Sequence, residues 1–325
     1  MPDSRRDLAR LGVELPDTCG AELRGIRFCD ERYSVSSSFR SWPGLGVRRT
    51  VLHQLLVEHA SAAGARLAWK THVAVRAGYP ITLNGEPAKY QFLIGADGQF
   101  SRVRAWAGLD GGSLFTRRVA FRVHYRVRPW SPYVEIHWGP AGQAYVTPVA
   151  ENEICVSAVT RFADGARSRD LIESIPVLRE HLKGAEVITS ERGAITTTRR
   201  LRRVTRGNVA LLGDASGSAD AITGEGMAMS FRQALQLAGA INAGDLSIYE
   251  RRHPSIMRLP QGMARFMLLM DRWPTLRHRA LDVLAHDPAT FRTMLRVHIG
   301  EEPLHQFLMR KAPGFGLRLL LPSFV

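Results

Sequence analysis

Cysteine is scarce in this chain of 325 residues: Cys19, Cys29 and Cys155, with no C-x-x-C pair. That excludes a disulfide scaffold and a zinc-ribbon module. It suits a reducing compartment, and the cytoplasm is the expectation. Lysine is scarcer still for so basic a protein. Of 44 basic residues only Lys70, Lys89, Lys183 and Lys311 are lysines, and against 30 acidic residues the formal net charge is +14. No apolar run approaches the roughly 18 residues of a membrane span. The opening Met1-Pro2-Asp3-Ser4-Arg5-Arg6-Asp7 lacks the apolar stretch of a secretory signal. There is no internal repeat, no low-complexity linker and no long basic block. The densest cluster, Arg199, Arg200, Arg202, Arg203 and Arg206, is interrupted by Leu201 and Val204 as a half-buried strand would be. The charge is therefore read as arginine-rich composition engaged in ordinary ion pairs, with no specific nucleic-acid partner. The rival reading is a basic module for nucleic acid or an anionic membrane surface, the apolar segment 316–325 making a peripheral contact.

What is present is a globular composition, 45% hydrophobic and 23% charged. It excludes disorder, collagen and a coiled-coil rod. Residues 3–13 predict a short helix. Two strand-like runs, 23–28 and 33–39, follow, and then a helix over 49–63 with Leu52, Leu55, Leu56, His59 and Ala63 at helical spacing. Segments 66–69, 72–76 and 90–94 read as strands. Residues 119–127, 133–138, 143–149 and 153–160 alternate in the manner of strands and suggest an antiparallel meander. A helical stretch (169–183), a strand (186–198) and a compact buried strand (209–212) come next. The strongest helix covers 227–243. The remainder is mostly helical and carries Pro254, Pro260, Pro274 and Pro288.

Two segments carry chemistry. In the first, Phe92-Leu-Ile-Gly95-Ala96-Asp97-Gly98-Gln99-Phe100-Ser101-Arg102-Val103-Arg104, a strand runs into Gly-Ala-Asp-Gly and a helix begins near Ser101. Gly95 and Gly98 permit a tight turn. Asp97 suits either the turn's own amides or a ligand hydroxyl, Ser101 can cap the helix, and Arg104 suits a phosphate. In the second, Val209-Ala-Leu-Leu-Gly213-Asp214-Ala215-Ser216-Gly217-Ser218-Ala219-Asp220-Ala221-Ile222-Thr223-Gly224-Glu225-Gly226-Met227, another strand ends in Gly-Asp. A glycine-bearing loop then leads to a helix whose first amides are unobstructed, a site for an anion or developing negative charge. No Gly-Lys-Ser/Thr follows, which excludes a P-loop. Neither Ser216 nor Ser218 sits in G-x-S-x-G, which argues against a serine hydrolase.

In this order, about 120 residues apart, the two segments resemble the FAD-dependent oxidoreductases of the para-hydroxybenzoate hydroxylase and geranylgeranyl reductase superfamily. The resemblance implies an α/β (α+β) fold: an incomplete Rossmann-like FAD-binding domain (1–112 and 199–250), an inserted antiparallel substrate-domain sheet (113–198) and a helical C-terminal region (251–325). It implies FAD as cofactor, NAD(P)H as co-substrate, and monooxygenation or reduction of a hydrophobic small molecule. Carried over onto matching positions, the cofactor-binding residues are Asp97 and Gly98 of the first segment and Gly213, Asp214, Gly224, Glu225, Gly226 and Met227 of the second. Asp214 takes the FAD ribitol, and the amides around Gly224–Met227 face the pyrimidine edge of the flavin. In Val47-Arg48-Arg49-Thr50-Val51-Leu52, Arg49 best fits the family's arginine at the FAD phosphates or ribose.

Two departures accompany the likeness. Ser216 and Gly217 replace the hydroxylases' Ala-His, which brings the loop closer to the reductase branch. The family's opening G-x-G-x-x-G unit, which cradles the FAD pyrophosphate, has no counterpart before position 92. The expectation is that the sequence begins beyond that unit, with an upstream start favoured over a genuine truncation; a truncated, non-catalytic remnant is the alternative. Tyr125, Trp130, Tyr133, Trp138 and Tyr145 are candidates for a substrate pocket. Gly142-Gln-Ala-Tyr145-Val-Thr-Pro148 lacks the Trp and Phe of the reductases' prenyl-binding strand. His124 and His137 are candidate acid–base groups without an identifiable partner. No catalytic residue and no metal-ligand spacing is assigned.

Overall fold

Periodicity and glycine punctuation place the elements in chain order. In a computed structural model that describes residues 1–76, 78–160 and 167–320, the chain opens with α1 (Pro2–Arg10), β1 (Ala21–Leu23), β2 (Gly25–Cys29), β3 (Ser34–Ser38), β4 (Gly44–Gly46) and α2 (Arg49–Ala62). Three two-residue strands, β5 (Val73–Ala74), β6 (Thr82–Leu83) and β7 (Glu86–Pro87), precede β8 (Leu93–Gly95) and α3 (Arg102–Trp106). The long strands β9 (Gly112–Arg126), β10 (Tyr133–Gly139), β11 (Gly142–Ala150) and β12 (Glu153–Thr160) follow. Then come α4 (Ser168–Glu173), α5 (Pro176–His181), β13 (Glu186–Val187), β14 (Arg192–Leu201), β15 (Thr205–Arg206), β16 (Val209–Leu211) and α6 (Gly226–Asn242). The rest is α7 (Leu246–Arg272), α8 (Pro274–His286), α9 (Pro288–His298), α10 (Leu304–Arg310) and α11 (Ala312–Leu320).

The four long strands are antiparallel but do not form a simple meander. The large sheet runs β13-β9-β12-β11-β10-β2-β3, with β14 also on β9. Strand β9 has 15 residues, enough to pair β12 through residues 119–125 and β14 through residues 112–122. The open edge of β10 is taken by β2, in parallel. A parallel pair needs a long crossover, and the chain between β2 and β10 supplies it. Alternation then splits the faces. Ile136, Trp138 and Tyr145 join Ile26, Phe28 and the C-terminal helices (Met267, Met270, Leu281, Phe291, Leu295) in one core. Val123, Ala144, Val146 and Val156 pack on the other face against Ile172, Ile175 and Leu178 of the α4–α5 region.

A smaller sheet, β15-β16-β8, lies apart. Strands β16 and β8 are parallel, with Val209 opposite Leu93 and Leu211 opposite Gly95. Ala210 points into a core with Leu237, Ala240 and Tyr249, while Val209 and Leu211 face Val103, Ala107 and Ala215. Both strands end in a turn that bears a glycine and an aspartate, Gly95-Ala96-Asp97 after β8 and Gly213-Asp214 after β16, at the same carboxyl end, where open α/β sheets bind ligands.

Two sequence expectations change. Residues 66–69 form no strand, and the strand expected over 72–76 shrinks to β5. Strands β5 to β7 bury no residue, so nothing locks a longer register. The prolines divide by position. Pro274 and Pro288 begin α8 and α9, where a missing N–H is harmless. Pro254 and Pro260 lie inside α7, which continues through both with Tyr249, His253 and Met257 buried along it. The tail residues 321–325, part of the expected membrane-facing segment, lie outside the described residues. No helix among the described residues is long and apolar enough to cross a membrane.

Candidate functional site

The first Gly-Asp turn closes on itself. Asp97 accepts from Ser101 Oγ at 2.5 Å and from the amides of Arg102 and Val103 at 2.7 and 3.1 Å. Ser101 in turn caps α3 by accepting from the Arg104 amide at 2.9 Å. Partial burial pushes the Asp97 carboxyl pKa up, but these hydrogen bonds win and hold it below the ordinary aspartate value. Gly98 has φ +79° and open space where a Cβ would stand.

The structure corrects the expectation for Arg104. Its side chain is buried and spent on protein: Nε on Asp110 at 2.6 Å, Nη1 on the Ala215 carbonyl at 3.1 Å and Nη2 on the Gln99 carbonyl at 2.9 Å. It ties the first segment to the second and has no geometry for an incoming phosphate.

The second turn is held by hydrogen bonds from α6, α7 and β14. The Gly213 amide donates to Gln233 Oε1 of α6 at 2.7 Å. Ser216 Oγ donates to the Gly213 carbonyl at 2.8 Å and lies 2.9 Å from His253 Nε2 of α7. Burial pushes the His253 pKa down to about 4, so the ring is neutral at pH 7. Gln233 Nε2 lies 3.4 Å from the same ring nitrogen, so Ser216, Gln233 and His253 form one buried cluster. Ser218 Oγ donates to the Thr197 carbonyl, and the Ala221 amide to Thr196 Oγ, both on β14. Asp220, buried, accepts from Thr116 at 3.1 Å and pairs with Arg118 at 3.4 Å. Tyr145 donates to the Ile222 carbonyl.

Inside that frame four features stay open. The Asp214 carboxylate makes no hydrogen bond or ion pair among the described residues and reaches solvent. The chain around it still excludes enough water to push its pKa up, while the Arg49 charge pulls it down. Arg49, the first residue of α2, is exposed and likewise without a partner among the described residues. Gly224 (φ +67°) and Gly226 have nothing within 4 Å of a built Cβ. Helix α6 has no side-chain cap, so its first amides are bare. Met227 is 42% exposed beside them. Glu225 differs from its neighbours: its side chain is buried and turned into the protein, which corrects its place among groups facing a cofactor.

The other sequence candidates make contacts of their own. His137 does have a partner, Glu135, at 3.0 Å. Burial would raise the Glu135 pKa, yet hydrogen bonds from His137 and Trp130 hold it at about 2. This pair lies on the sheet face opposite Ile136 and Trp138. His124 contacts Thr189, and burial lowers its pKa. Of the five aromatics, Trp138 and Tyr145 line the face that meets α7–α9, Tyr125 and Trp130 pack on the α4–α5 side, and the Tyr133 hydroxyl meets Ser38. Asp30, Glu31 and His278 bring ligand-type atoms within 4.8 Å of one another. Arg277 already lies 3.3 Å from Asp30, so this cluster acts as an ion-pair joint between the β2–β3 turn and α8.

Sequence comparison now decides the family. The model for the FAD binding domain matches residues 21–244. The chain belongs to the FAD binding domain family. A digeranylgeranylglycerophospholipid reductase of Methanosarcina acetivorans is 25% identical over 238 residues, 64% of this chain and 58% of the relative. A geranylgeranyl diphosphate reductase of Synechocystis is 29% identical over 222 residues, 60% of this chain and 53% of the relative. The chain thus spans little more than half the length of these curated relatives. A flavoprotein/dehydrogenase from Cytophaga hutchinsonii shares the fold at TM-score 0.80 and 16% identity, covering 95% of this chain and 85% of that one. Klebsiella pneumoniae HpxO, solved with FAD, does so at TM-score 0.71 and 18% identity, covering 93% and 89%.

As a member of the FAD binding domain family, the chain carries residues that fit part of the cofactor. An open carboxylate suits a polyol, and uncapped amides with vacant space at Gly224 and Gly226 suit an electron-poor-to-electron-rich ring edge. A free Arg49 suits a phosphate. The sequence holds no G-x-G-x-x-G cradle for the pyrophosphate.

Proposed function

We propose that this protein is an FAD-dependent oxidoreductase acting on a hydrophobic small molecule, with NAD(P)H as electron donor. The observation that carries the reading is the set of unsatisfied groups that follows β16: the open Asp214 carboxylate, on which the Arg49 charge acts, and the uncapped N-terminus of α6. The loop between them is braced by hydrogen bonds to Gln233, Thr196 and Thr197. Bound FAD supplies hydride acceptance and delivery that no side chain here can supply. The protein's own part is positional. Asp214 would hold the ribityl hydroxyls and Arg49 a phosphate. The amides of Gly226 and Met227 would face the ring edge that gains electron density on reduction. Arg104, Gln233 and His253 keep the loop in place from behind.

Reduction is favoured over oxygenation, because the curated relatives quoted above are both reductases of geranylgeranyl compounds. The test is spectroscopic. Purified protein is incubated with FAD, desalted and scanned in the visible range, and bleaching of a retained flavin band by NADH or NADPH is followed anaerobically. A band that persists and bleaches supports the reading, and oxygen uptake coupled to substrate would move it to the monooxygenase branch. A chain that is folded by circular dichroism and retains no flavin would refute it.

A further inference from the structure

Glu225 is unexplained by the geometry described so far. It stands just before the first turn of α6, where a polar side chain ordinarily turns back to accept from the second or third helical amide. Its carboxyl does not do so. It is 4% exposed, and both oxygens are shut from water without a hydrogen bond. His298, at the end of α9, faces it with Nδ1 3.8 Å from Oε1, and that nitrogen is also buried and unbonded. From α1, Asp3 presents Oδ1, again buried and unbonded. From α6 itself comes Arg232, whose guanidinium is committed to Asp3 and Asp7. Beyond Asp3 lies the amino group of Met1. Orphan polar atoms are rare in native interiors, and here four of them converge from three helices.

An unpaired carboxylate shut away from water is strongly disfavoured and takes up a proton instead. Ordinarily an acid at this position would compensate the positive end of the helix dipole and compete with any ligand for the amides. A neutral acid turned inward does neither. We propose that Glu225 is a positioning residue: held as the neutral acid toward His298, it keeps the amides of Gly226 and Met227 bare and uncompensated for an electron-rich ligand group. This rests on the reading that the ligand is FAD. Burial holds the Glu225 pKa above the ordinary glutamate value; His298 opposes the rise, Asp3 adds to it and Arg232 opposes it. Ionisation at higher pH would place a negative charge beside the amides and weaken binding.

The experiment compares the full chain with E225Q, which keeps shape and hydrogen-bonding capacity but cannot ionise. The first readout needs no cofactor. The native state binds the Glu225 proton more tightly than the unfolded chain, so wild-type stability relative to E225Q falls as pH rises through the native pKa. Thermal midpoints across about pH 5 to 9 should therefore diverge in favour of E225Q toward high pH. A constant gap overturns the proposal. So does a gap that shifts toward wild type as pH rises, since that identifies a carboxylate held ionised in the native state. The second readout is FAD affinity by flavin fluorescence. Wild-type affinity should fall about three- to tenfold relative to E225Q over the same range, the scale of one charge at a helix end. Asp214 titrates in both proteins and cancels in the ratio. A pH-independent ratio refutes the positioning role. No FAD binding by either protein, with diverging midpoints, sinks the flavin reading and the ligand half of this proposal while leaving the ionisation demonstrated.

Discussion

The two Gly-Asp turns leave neighbouring parallel strands at the same end of one small sheet, yet they are finished differently. At the first, Asp97 accepts three hydrogen bonds from its own turn and helix, and Arg104 donates to three acceptors. At the second, Asp214 accepts none among the described residues, and the helix beyond it has no cap. The same sequence pattern thus yields a saturated corner and an open one. A saturated polar group contributes to stability, whereas an open one contributes to binding, because only the open one still has valence to offer a ligand. The first turn serves mainly as a brace for the second, through the Arg104 bond to Ala215.

That division can be broken by substitution. The largest effect is expected at the brace. Arg104→Ala strands the buried carbonyl of Ala215 and the half-buried one of Gln99, and should lower unfolding free energy by about 3 kcal/mol in urea titration. An equally large loss from Asp214→Ala would erase the distinction between the turns. His253 comes next. Its folded pKa, about 4, lies below the ordinary 6.5. The unfolded chain therefore binds the proton first, and stability should fall by about 3 kcal/mol as pH drops from about 6.5 toward 4. His253→Gln should remove that slope from a pH series of denaturation midpoints.

Asp214→Asn is expected to cost about tenfold in FAD affinity, one hydrogen-bonding charge being lost to the ligand, while unfolding free energy stays within about 0.5 kcal/mol. Flavin fluorescence and urea titration on the same sample separate the two effects. The smallest change is at Asp97. Asp97→Ala removes a helix cap, for about 1 kcal/mol at neutral pH. Because the folded pKa of Asp97 is depressed, its contribution is present above the unfolded value and disappears as pH falls through the folded one. Wild type and variant should converge in acid, and a constant difference would place the role of Asp97 elsewhere than in the cap.

Much of the fold was legible in local pattern. The helix over 49–63, the four long strands, the compact strand at 209–212 and the helix over 227–243 all follow from periodicity and glycine placement, which are properties of adjacent residues. The segment 66–76 holds little strand because apolar residues there lack a buried partner face. The order of the large sheet was not legible, since β2 reaches β10 across more than 100 residues. At the candidate site, the motif singles out Asp214 and the glycines as cofactor-binding candidates. Gln233, His253, Asp220 and Arg118 were not assigned their roles, because a lone Gln or His on a helix carries no local mark of what it touches.

Sequence alone determined the strand–Gly-Asp–helix units and, through them, the family, because close backbone approach demands glycine and a particular order of residues along one stretch of chain. Tertiary structure decided which polar groups in those units stay available. Asp97 and Asp214 are the same residue in similar turns, and Glu225 lies between two glycines that face solvent. Whether each carboxyl meets amides, water or a buried histidine depends on groups brought in from distant segments, and saturation is a property of the assembled neighbourhood.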